Sequence, residues 1–585
     1  MDKKHYYTDE KNAQIVLALL KAHGIRKIIA NPGTTNIAIV GSVQNDPWFQ
    51  VYSGIDERHS AYMAVGMAAE SGEPVVLSCT GATASRNYLP ALTEAYYRKI
   101  PVLAITSMQN LDNVGQLAPQ ALDRSVLPVD TAVKSVELRT VRDSHDEAVC
   151  VRKVNDAILA LKRHGGGPVH INLEMGGCIT FNSKTLPSFQ RIDRFDADSI
   201  CSAQKLPDGK IALFIGSGAC SSAWSKFAAE HNVAVFADCG ANYHGPNKVN
   251  SSLLCYQTGF RFNPKFSALK PDLVLSVGEV SGDYPSLGFL FGQAPIWRIS
   301  PDGEVRAPFG NPAAVFEISP ERFVEYYSET AKGRNSEYAD LWIAANKELR
   351  SKIPDLPFSN PWMAMELSPL IPAGSVLHLG ILNSLRSWND FYPQQEVDTY
   401  SNVGGFGIDG GMSTLIGASL ASPNKLCFGV FGDLAFFYDL NSLGNRYIGK
   451  NLRILFVNNG CGTEFNMYFH PGSQFESQTN DYIAAGGHFG NQSRDLVKHY
   501  TQDLGFKYLH AENKYEFREA MKEFLNPNFD KSVVFECFTN PKDESAVHHI
   551  LNNLEEYHRP VSVESQMKCL VPQRFKNVIK AALGR

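Results

Sequence analysis

The chain has 585 residues, of which 44% are hydrophobic and 20% are charged, and its formal net charge at pH 7 is −5. This length predicts several domains, and the composition is that of an ordinary globular protein. The slightly acidic balance excludes the strongly basic surface that nucleic-acid-binding proteins carry.

The amino-terminal residues, the apolar runs and the cysteines indicate the compartment. The first seven residues are polar and lead into an amphipathic helix, so no secretory signal is predicted. No apolar run approaches the roughly 20 residues that a membrane-spanning helix needs. The eleven cysteines show no Cys-x-x-Cys spacing, which favours reduced thiols. We therefore expect a cytoplasmic protein with neither a membrane nor a nucleic-acid partner.

The first third of the chain alternates between helical and strand patterns. The predicted elements are a helix at 12–23, strands at 25–30 and 49–55, a helix at 60–70, a strand at 74–79, a helix at 88–98, and strands at 101–106 and 167–173. Regular alternation of this kind is typical of a parallel sheet with helices on both faces.

Two further α/β patterns follow a polar stretch at 177–208, which is predicted to be a linker. The predicted strands are 211–215, 233–236, 273–277 and 295–299, then, after a helical connection at 319–352, 376–379, 397–401, 454–457 and 533–538. The fold class predicted is α/β, with three doubly wound parallel-sheet domains. The boundaries are 1–185, 210–345 and 355–540, with a linker at 186–209 and a tail at 541–585.

Side chains that carry oxygen atoms follow two predicted strands of the third domain. Asp433 follows Gly432, and Asn459 follows the apolar run Ile454–Val457. Ligands of open α/β sheets bind beyond the carboxyl ends of the strands, and Mg²⁺ prefers oxygen ligands that bridge protein and phosphate. The pattern predicts a metal–phosphate site; two surface loops of an unrelated α/β domain are the alternative.

An acidic residue also follows a predicted strand of the first domain. Glu57 lies between Asp56 and Arg58, just before an apolar helix. By itself this position is explained by a solvated helix cap, because a carboxylate stabilises a helix amino terminus. A functional role for Glu57 therefore depends on its neighbours.

Together these motifs resemble the thiamine diphosphate-dependent decarboxylase and carboligase superfamily. The spacing from Gly432-Asp433-Leu434 to Asn458-Asn459 resembles its cofactor motif, with Leu434 in place of the usual glycine. Within the superfamily the chain resembles the menaquinone-pathway family of 2-succinyl-5-enolpyruvyl-6-hydroxy-3-cyclohexene-1-carboxylate synthases. The residues that carry the resemblance are Asp56-Glu57-Arg58, Thr80–Thr83, Glu94–Tyr97, Asn402, Gly407–Gly410 and Tyr438–Asn441.

The resemblance implies thiamine diphosphate and Mg²⁺ as cofactors. Asp433, Asn459 and the main-chain carbonyl of Cys461 would hold Mg²⁺, Ile408 would lie beneath the bent cofactor, and Glu57 would bond the pyrimidine N1′. The further cofactor-binding residues implied are Thr83, Gly407, Gly432, Leu434 and Phe465. In this family Glu57 and the metal ligands of one site come from different subunits, so the resemblance implies a homodimer or a dimer of dimers.

The substrate end departs from the synthase pattern. Thr34, Thr35, Val403, Asp283 and Tyr284 stand where that family has basic or serine side chains. An anionic substrate binds poorly where the protein lacks a cation to pair with it, so the synthase's own anionic substrates are disfavoured here. The candidate substrate residues are Thr34, Thr35, Arg86, Asn87, Asp283, Tyr284, and, for a donor carboxylate, Asn383 and Arg386.

Two further residues are candidates for catalysis together with Glu57. Glu464 stands where the synthase has an apolar side chain, and decarboxylases carry a glutamate close by. A carboxyl group in an apolar pocket could shuttle protons, whereas an outward Glu464 would only cap the next helix. Gln120 matches a family glutamine that contacts the donor.

These residues lead to a main functional hypothesis and its alternatives. The main hypothesis is decarboxylation of a 2-oxo acid and transfer of the acyl anion equivalent to a carbonyl acceptor, possibly a nucleotide-linked keto-sugar. The alternatives are the menaquinone-pathway synthase itself, using repositioned cations such as Arg86, Arg261 or Arg386, a simple 2-oxo acid decarboxylase, and a cofactor-binding partner without turnover. An acetohydroxyacid-type synthase is disfavoured because no flavin site is recognisable.

Overall fold

A computed structural model describes residues 6–177, 180–218, 222–238, 240–328, 336–391, 393, 396–488 and 493–555. It contains three parallel β-sheets with helices packed on them, which confirms the predicted α/β class. Contacts along the backbone divide the chain into two compact units, Met1–Ala203 with Ile296–Ile318, and Gln204–Pro295 with Ser319–Arg585. The three-domain boundaries given above stay a prediction.

The strands alternate with helices along the chain. The strands are β1 (Lys27–Ala30), β2 (Gln50–Ser53), β3 (Val75–Thr80), β4 (Val102–Met108), β5 (Lys134–Leu138), β6 (Val169–Glu174), β7 (Asp193–Asp196), β8 (Ile211–Ile215), β9 (Val233–Ala237), β10 (Lys248–Val249), β11 (Leu273–Val277), β12 (Ile296–Ile299), β13 (Ala314–Glu317), β14 (Val376–Leu379), β15 (Asp398–Ser401), β16 (Cys427–Gly432), β17 (Leu452–Asn458), β18 (Lys507–Ala511) and β19 (Val533–Phe538).

The helices of the described residues follow the same order. They are α1 (Lys11–Ala22), α2 (Ile37–Val43), α3 (Glu57–Ser71), α4 (Thr83–Asn87), α5 (Leu89–Tyr97), α6 (Ser144–Ala160), α7 (Ser222–Glu230), α8 (Ser252–Cys255), α9 (Tyr284–Leu290), α10 (Pro320–Ser328), α11 (Glu337–Arg350), α12 (Asn360–Leu367), α13 (Asn383–Asp390), α14 (Gly411–Ala421), α15 (Asp433–Tyr438), α16 (Thr479–Tyr482), α17 (Leu496–Asp503), α18 (Lys514–Phe524) and α19 (Pro541–Leu551). None of these helices is long and apolar enough to cross a membrane.

The first unit is built on a six-stranded parallel sheet in the order β2-β1-β3-β4-β6-β5. Helices α1 and α6 bury an apolar core on one face, and α3 and α5 bury a second core on the other. Both faces of the central strands are therefore covered, which explains why these strands are almost continuously apolar in sequence. The unit also contains β12, β13 and β7. Strand β13 pairs in parallel with β12 and with β7.

The second unit contains the parallel strands β10-β9-β8-β11 and a six-stranded parallel sheet in the order β15-β14-β16-β17-β19-β18. Strands β16 and β17 lie at the centre of this sheet and are almost wholly buried. Phe436 of α15 stacks on Phe456 of β17 with ring centroids 4.1 Å apart. This packing fixes the loops that follow β16 and β17.

The structure differs from the sequence prediction in the segment taken as a linker. Asp193–Asp196 form β7, which pairs in parallel with β13. Its four residues are all half-buried, so the segment lacks the alternation that marks a strand. The predicted helical connection at 319–352 is confirmed at its two ends as α10 and α11, and residues 329–335 between them lie outside the described part. Residues 556–585 of the predicted tail also lie outside it.

A fully buried cation ties the start of β17 to the chain around α18. Nε of Arg453 donates to the carbonyl of Phe524 at 3.0 Å, and Nη2 donates to the carbonyl of Asn526 at 2.8 Å. Nη1 donates to the carbonyls of Lys450 and Leu452 at 3.0 and 2.9 Å. Burial lowers the pKa of Arg453, and these main-chain dipoles replace the water that the guanidinium has lost.

Arg453→Met should destabilise the second unit by roughly 2–4 kcal/mol, because it leaves several buried carbonyls without a donor. The free energy of unfolding is measured by urea denaturation followed by circular dichroism. Arg446→Met, at an exposed position, is the matched control and should change it by less than about 0.5 kcal/mol. Equal effects of the two substitutions would contradict a structural role for the carbonyl cluster.

A second buried charge lies at the end of α13. Asp390 has no exposed surface. Asp283, whose negative charge acts on Asp390, is 3% exposed. Burial raises the pKa of Asp390 to about 7, with a smaller contribution from the Asp283 carboxyl. The folded chain therefore keeps a proton on Asp390 at pH values where the unfolded chain, with an ordinary aspartate, has lost it.

Asp390→Asn should be more stable than the parent protein at pH 8 and equally stable near pH 4. The stability that protonated Asp390 contributes is fully present below the unfolded pKa and is lost as the pH rises through about 7. Asparagine keeps the neutral form at every pH, which should give roughly 1–3 kcal/mol at pH 8. Thermal unfolding at both pH values tests this, with Asp503→Asn, at an exposed position, as the control. A gain in stability of Asp390→Asn that is the same at both pH values would contradict the raised pKa of Asp390 as its cause.

Candidate active site

Loops after three neighbouring strands carry predicted residues of the first unit. Thr35 follows β1, Glu57 begins α3 after β2, and Thr83 begins α4 after β3. Because β2, β1 and β3 are adjacent and parallel, their carboxyl ends lie at one edge of the sheet. The Thr35 hydroxyl bonds the Thr80 hydroxyl and donates to the Ser107 carbonyl, both at 2.5 Å. These bonds fix the loop after β1 against the ends of β3 and β4.

Glu57 is the first residue of α3 and is half-buried. The cap of this helix is Asp56, whose carboxylate accepts from the backbone N–H of His59 at 3.1 Å. Burial raises the pKa of Cys79 in β3 to about 12, and the charge of Glu57 adds to this rise. The carboxylate of Glu57 therefore lies close to the strand ends, and the capping role that explained it in sequence belongs to its neighbour.

The other predicted residues of this unit are open to solvent. Thr34, Thr83, Asn87 and Gln120 are exposed, and Gln120 has a φ of 64° in the loop after β4. Arg86 is exposed too, and its Nη2 donates to the carbonyl of Asp123 at 2.7 Å. The first unit thus places these side chains on the surface, and their roles stay predictions.

Sequence analysis missed a buried arginine at this edge of the first sheet. Arg124 is 2% exposed, and its Nη1 donates to the carbonyl of Gly81 at 2.6 Å. Its Nε and Nη2 donate to Thr106 Oγ1 at 3.1 Å and to Asn172 Oδ1 at 2.5 Å. A Cβ on Gly81 would lie 2.3 Å from Nη1, so a larger residue there would displace the guanidinium. Because its partners are far apart in sequence, no local pattern marks Arg124.

A cavity of about 140 Å³ lies at the carboxyl ends of β14, β16 and β17 in the second unit. Its lining brings together residues that sequence analysis assigned to separate motifs. The predicted residues in the lining are Asn383, Ile408, Gly432, Asp433, Leu434, Asn459, Cys461, Glu464 and Phe465. They come from loops that span more than eighty positions of the chain and meet because the strands are parallel neighbours.

Asp433 and Asn459 supply oxygen atoms to this cavity. Asp433 is 5% exposed, and burial raises its pKa to about 7 even though backbone N–H groups, including that of Leu434 at 2.8 Å, donate to it. The Oδ1 atom of Asn459 is buried and has no hydrogen-bond partner among the described residues. A carboxylate, an unpartnered amide oxygen and the nearby main-chain carbonyl of Cys461 form a donor set that fits a divalent cation.

The glycine-rich loop after β15 supplies an apolar wall. Ile408 lines the cavity and is half-buried. Gly410 has a φ of 74°, a left-handed conformation that favours glycine, and α14 begins directly after it. Gly407 is exposed and is not part of the lining. The loop therefore presents one branched aliphatic side chain to the cavity.

Glu464 and Arg386, predicted separately as a proton shuttle and a donor-carboxylate site, form an ion pair. Nη1 and Nη2 of Arg386 donate to the two carboxylate oxygens of Glu464 at 2.6 and 2.8 Å. Nε of Arg386 donates to the hydroxyl of Tyr256 at 3.1 Å. The sequence predicts an apolar environment for Glu464, but the structure pairs its carboxylate with a cation. Glu464 nevertheless lines the cavity rather than capping an outer helix.

A buried polar group behind the cavity was also missed. Oδ1 of Asn383 bonds Nε2 of His548 at 3.0 Å. The carboxyl of Glu544 accepts from the backbone N–H of Asn360 at 3.0 Å, and Asn360 lines the cavity. Burial raises the pKa of Glu544 to about 7 and lowers that of His548 to about 3. Asn360 and Glu544 lie 184 positions apart, so only the fold shows their contact.

Asp283 and Tyr284 lie apart from this cavity lining. Asp283 is 3% exposed and caps α9 by accepting from the backbone N–H of Ser286 at 3.1 Å. Tyr284 is 54% exposed, with its ring centroid 6.0 Å from that of Phe406. The aspartate thus serves the start of a helix, which leaves Tyr284 as the member of the pair that a ligand could reach.

Comparisons with known proteins agree with this geometry. Residues 10–127 match the family described as thiamine pyrophosphate enzyme, N-terminal TPP binding domain. A 2-succinyl-5-enolpyruvyl-6-hydroxy-3-cyclohexene-1-carboxylate synthase of Bacteroides fragilis is 30% identical over 94% of this chain and 100% of its own length. The synthase of Bacteroides thetaiotaomicron is 30% identical over 92% and 98%, and that of Phocaeicola vulgatus is 29% identical over 94% and 100%.

The matched length of these relatives extends through both units and covers the loops that form the cavity. The match to the cofactor-binding family covers the strand ends around Glu57, and the relatives cover the segment from Asp433 to Asn459 as well. The chain therefore belongs to the thiamine pyrophosphate (thiamine diphosphate) enzyme family that includes these synthases, and it is a thiamine diphosphate-dependent enzyme.

Proposed function

We propose that this enzyme uses thiamine diphosphate and Mg²⁺ to decarboxylate a 2-oxo acid and to transfer the acyl anion equivalent to an acceptor. The observation that carries the proposal is the cavity in which Asp433 and the unpartnered oxygen of Asn459 lie beside Ile408. Oxygen ligands suit a metal that holds a diphosphate, and an apolar wall suits the cofactor rings.

Each residue has a defined task in this proposal. Asp433, Asn459 and the carbonyl of Cys461 would hold Mg²⁺, and Ile408 would orient the cofactor from the apolar side of the cavity. Glu57 would bond the pyrimidine N1′ of the bound cofactor, where a hydrogen bond to a carboxylate would be strong once water is excluded. The bound cofactor supplies the electron sink for decarboxylation, and the protein supplies orientation and electrostatics.

The relatives favour a second, narrower candidate, the synthase activity that their names state. A 2-succinyl product requires a four-carbon acyl unit, which is what decarboxylation of 2-oxoglutarate leaves. Thr34, Thr35 and Val403 carry no charge, so this candidate depends on other cations, such as Arg86, Arg261 or Arg386, to bind its anionic substrates. A nucleotide-linked keto-sugar acceptor has no support from the relatives, and we do not propose it.

We also propose that the active species is a homodimer or a dimer of dimers. Large apolar side chains near the predicted residues of the first unit are strongly exposed: Ile55 is 86%, Leu117 is 100%, Val126 is 80% and Val129 is 88% exposed. Exposed apolar side chains of this number are typical of a surface that another chain covers. This supports the arrangement, implied by the resemblance, in which each site takes residues from two chains.

Purified protein with thiamine diphosphate and Mg²⁺ should release CO₂ from 2-oxoglutarate, and Glu57→Gln should lower the rate by at least about 100-fold. The amide cannot hold the N1′ proton as a carboxylate does. Labelled CO₂ is measured, and Glu70→Gln, at an exposed position of the same helix, is the matched control. Full activity of Glu57→Gln would remove the role assigned to Glu57.

Addition of isochorismate to the same reaction separates the two candidates. If isochorismate is consumed together with 2-oxoglutarate, the synthase activity is established. If CO₂ is released and isochorismate remains, the acceptor is a different molecule and the broader proposal holds. If no 2-oxo acid is decarboxylated by the cofactor-loaded protein, the proposed function is wrong.

Mixing two inactive variants tests the shared site. Glu57→Gln and Asp433→Ala should each be inactive, and their co-expression should restore about a quarter of the parent activity. Half of randomly formed dimers carry one chain of each kind, and in these dimers one of two sites has both residues intact. Activity of refolded or co-expressed mixtures is measured against each variant alone. No recovery in verified mixed dimers would place Glu57 and Asp433 of one site on the same chain.

A further inference from the structure

The guanidinium of Arg386 is held from three directions. Nε donates to the Tyr256 hydroxyl at 3.1 Å, and the ring centroid of Phe469 lies 5.0 Å from Cζ. The two Nη atoms donate to Glu464, and the side chain of Arg386 is 12% exposed. Hydrogen bonding and ring contact thus fix the guanidinium even without its carboxylate partner.

Glu464 is held from one direction. Both oxygens of its carboxylate bond Arg386, and within the described part of the chain no other side-chain partner of Glu464 is present. The residue lies on a single 3₁₀ turn, Thr463–Asn466, in the wall of the cavity. Of the two members of the pair, the glutamate is therefore the one that can leave without disturbing other contacts.

The pair has the geometry of a ligand site that the chain itself fills. A guanidinium and a carboxylate joined by two parallel hydrogen bonds are the usual form of carboxylate recognition by arginine. Both side chains are largely buried, at 12% and 13% exposure, so an anion that approaches this guanidinium has to replace the one already there. A neutral ligand gains nothing from such a replacement.

We propose that Glu464 is an internal competitor for Arg386, and that a second, non-reacting carboxylate of the substrate exchanges with it on the guanidinium. This inference rests on the proposed function and narrows it to 2-oxo acids with two carboxylates. The reacting carboxylate is the poorer occupant, because pairing it with a cation stabilises the charge that is lost with CO₂. Arg386 is then the specificity-determining residue, and Glu464 keeps the cavity neutral until the diacid arrives.

The energetic consequence is a reduced affinity for the diacid in the parent protein. Exchange replaces one carboxylate on Arg386 by another, so the guanidinium gains little interaction free energy. The displaced carboxylate of Glu464 loses its cation, which costs free energy. Removing the charge of Glu464 removes this competition. The parent protein should therefore bind a dicarboxylate more weakly than a variant in which position 464 is neutral.

Calorimetric titration of the cofactor-loaded protein with glutarate, a diacid that cannot react, tests the exchange. Glu464→Gln and Glu464→Ala should both bind glutarate at least about tenfold more tightly than the parent, and Arg386→Gln should lose binding. Glu366→Gln is the matched control, because Glu366 makes the same bidentate pair with Arg518 away from the cavity, at 2.8 and 3.1 Å. Its affinity for glutarate should equal that of the parent.

Steady-state kinetics with two donors of equal chain length provide the second readout. Glu464→Gln should lower the KM for 2-oxoglutarate by at least about tenfold and leave the KM for 2-oxopentanoate, which lacks the second carboxylate, within about twofold. Unchanged or weaker glutarate binding in both position-464 variants, with thermal stability like the parent's, would show that Glu464 is a structural brace and overturn the proposal. Absence of decarboxylation in every protein would overturn the proposed function alone, since glutarate binding is measured without turnover.

Discussion

The cavity of the second unit depends on one constraint. Its charged and polar oxygen atoms lie at a buried strand end, where water cannot solvate them. Asp433 follows a strand that is covered on both faces, and its burial raises its pKa to about 7. An aspartate in such a place is unstable as an anion unless a cation shares the site. The unpartnered oxygen of Asn459 makes the same demand, because a buried acceptor without a donor costs free energy. These two groups therefore fit the metal site that we propose.

A second charged group of the cavity, Glu464, has its partner within the chain. Glu464 lines the cavity and is neutralised by Arg386 behind it, and Tyr256 and Phe469 hold the guanidinium in place. Thr34, Thr35 and Val403 carry no charge, and in the exchange that we propose the buried guanidinium of Arg386 is the group that recognises the anion.

Buried side chains that link distant segments give each unit its rigidity around the strand ends. Arg124 joins the ends of β3, β4 and β6, and Arg453 joins the start of β17 to the chain around α18. Each guanidinium donates mainly to carbonyl or amide oxygens rather than to carboxylates. Such contacts depend on the positions of several chain segments at once, so they follow from the tertiary structure and have no signature in any one of them.

The sequence by itself determined the fold class and most of the strands and helices, because buried parallel strands need long apolar runs and the helices between them need a 3.6-residue period. Motifs at strand ends singled out Asp433 and Asn459, and the family resemblance singled out Ile408 and Glu464; the four line one cavity, and their roles stay predictions. The sequence did not reveal β7, whose half-buried residues lack alternation, or the partners Asn360 and Glu544.

Only the tertiary structure decided that Glu464 faces Arg386 and that Asp283 caps a helix. The sequence specifies which side chains are charged. The partner that neutralises each charge depends on packing between segments tens or hundreds of residues apart.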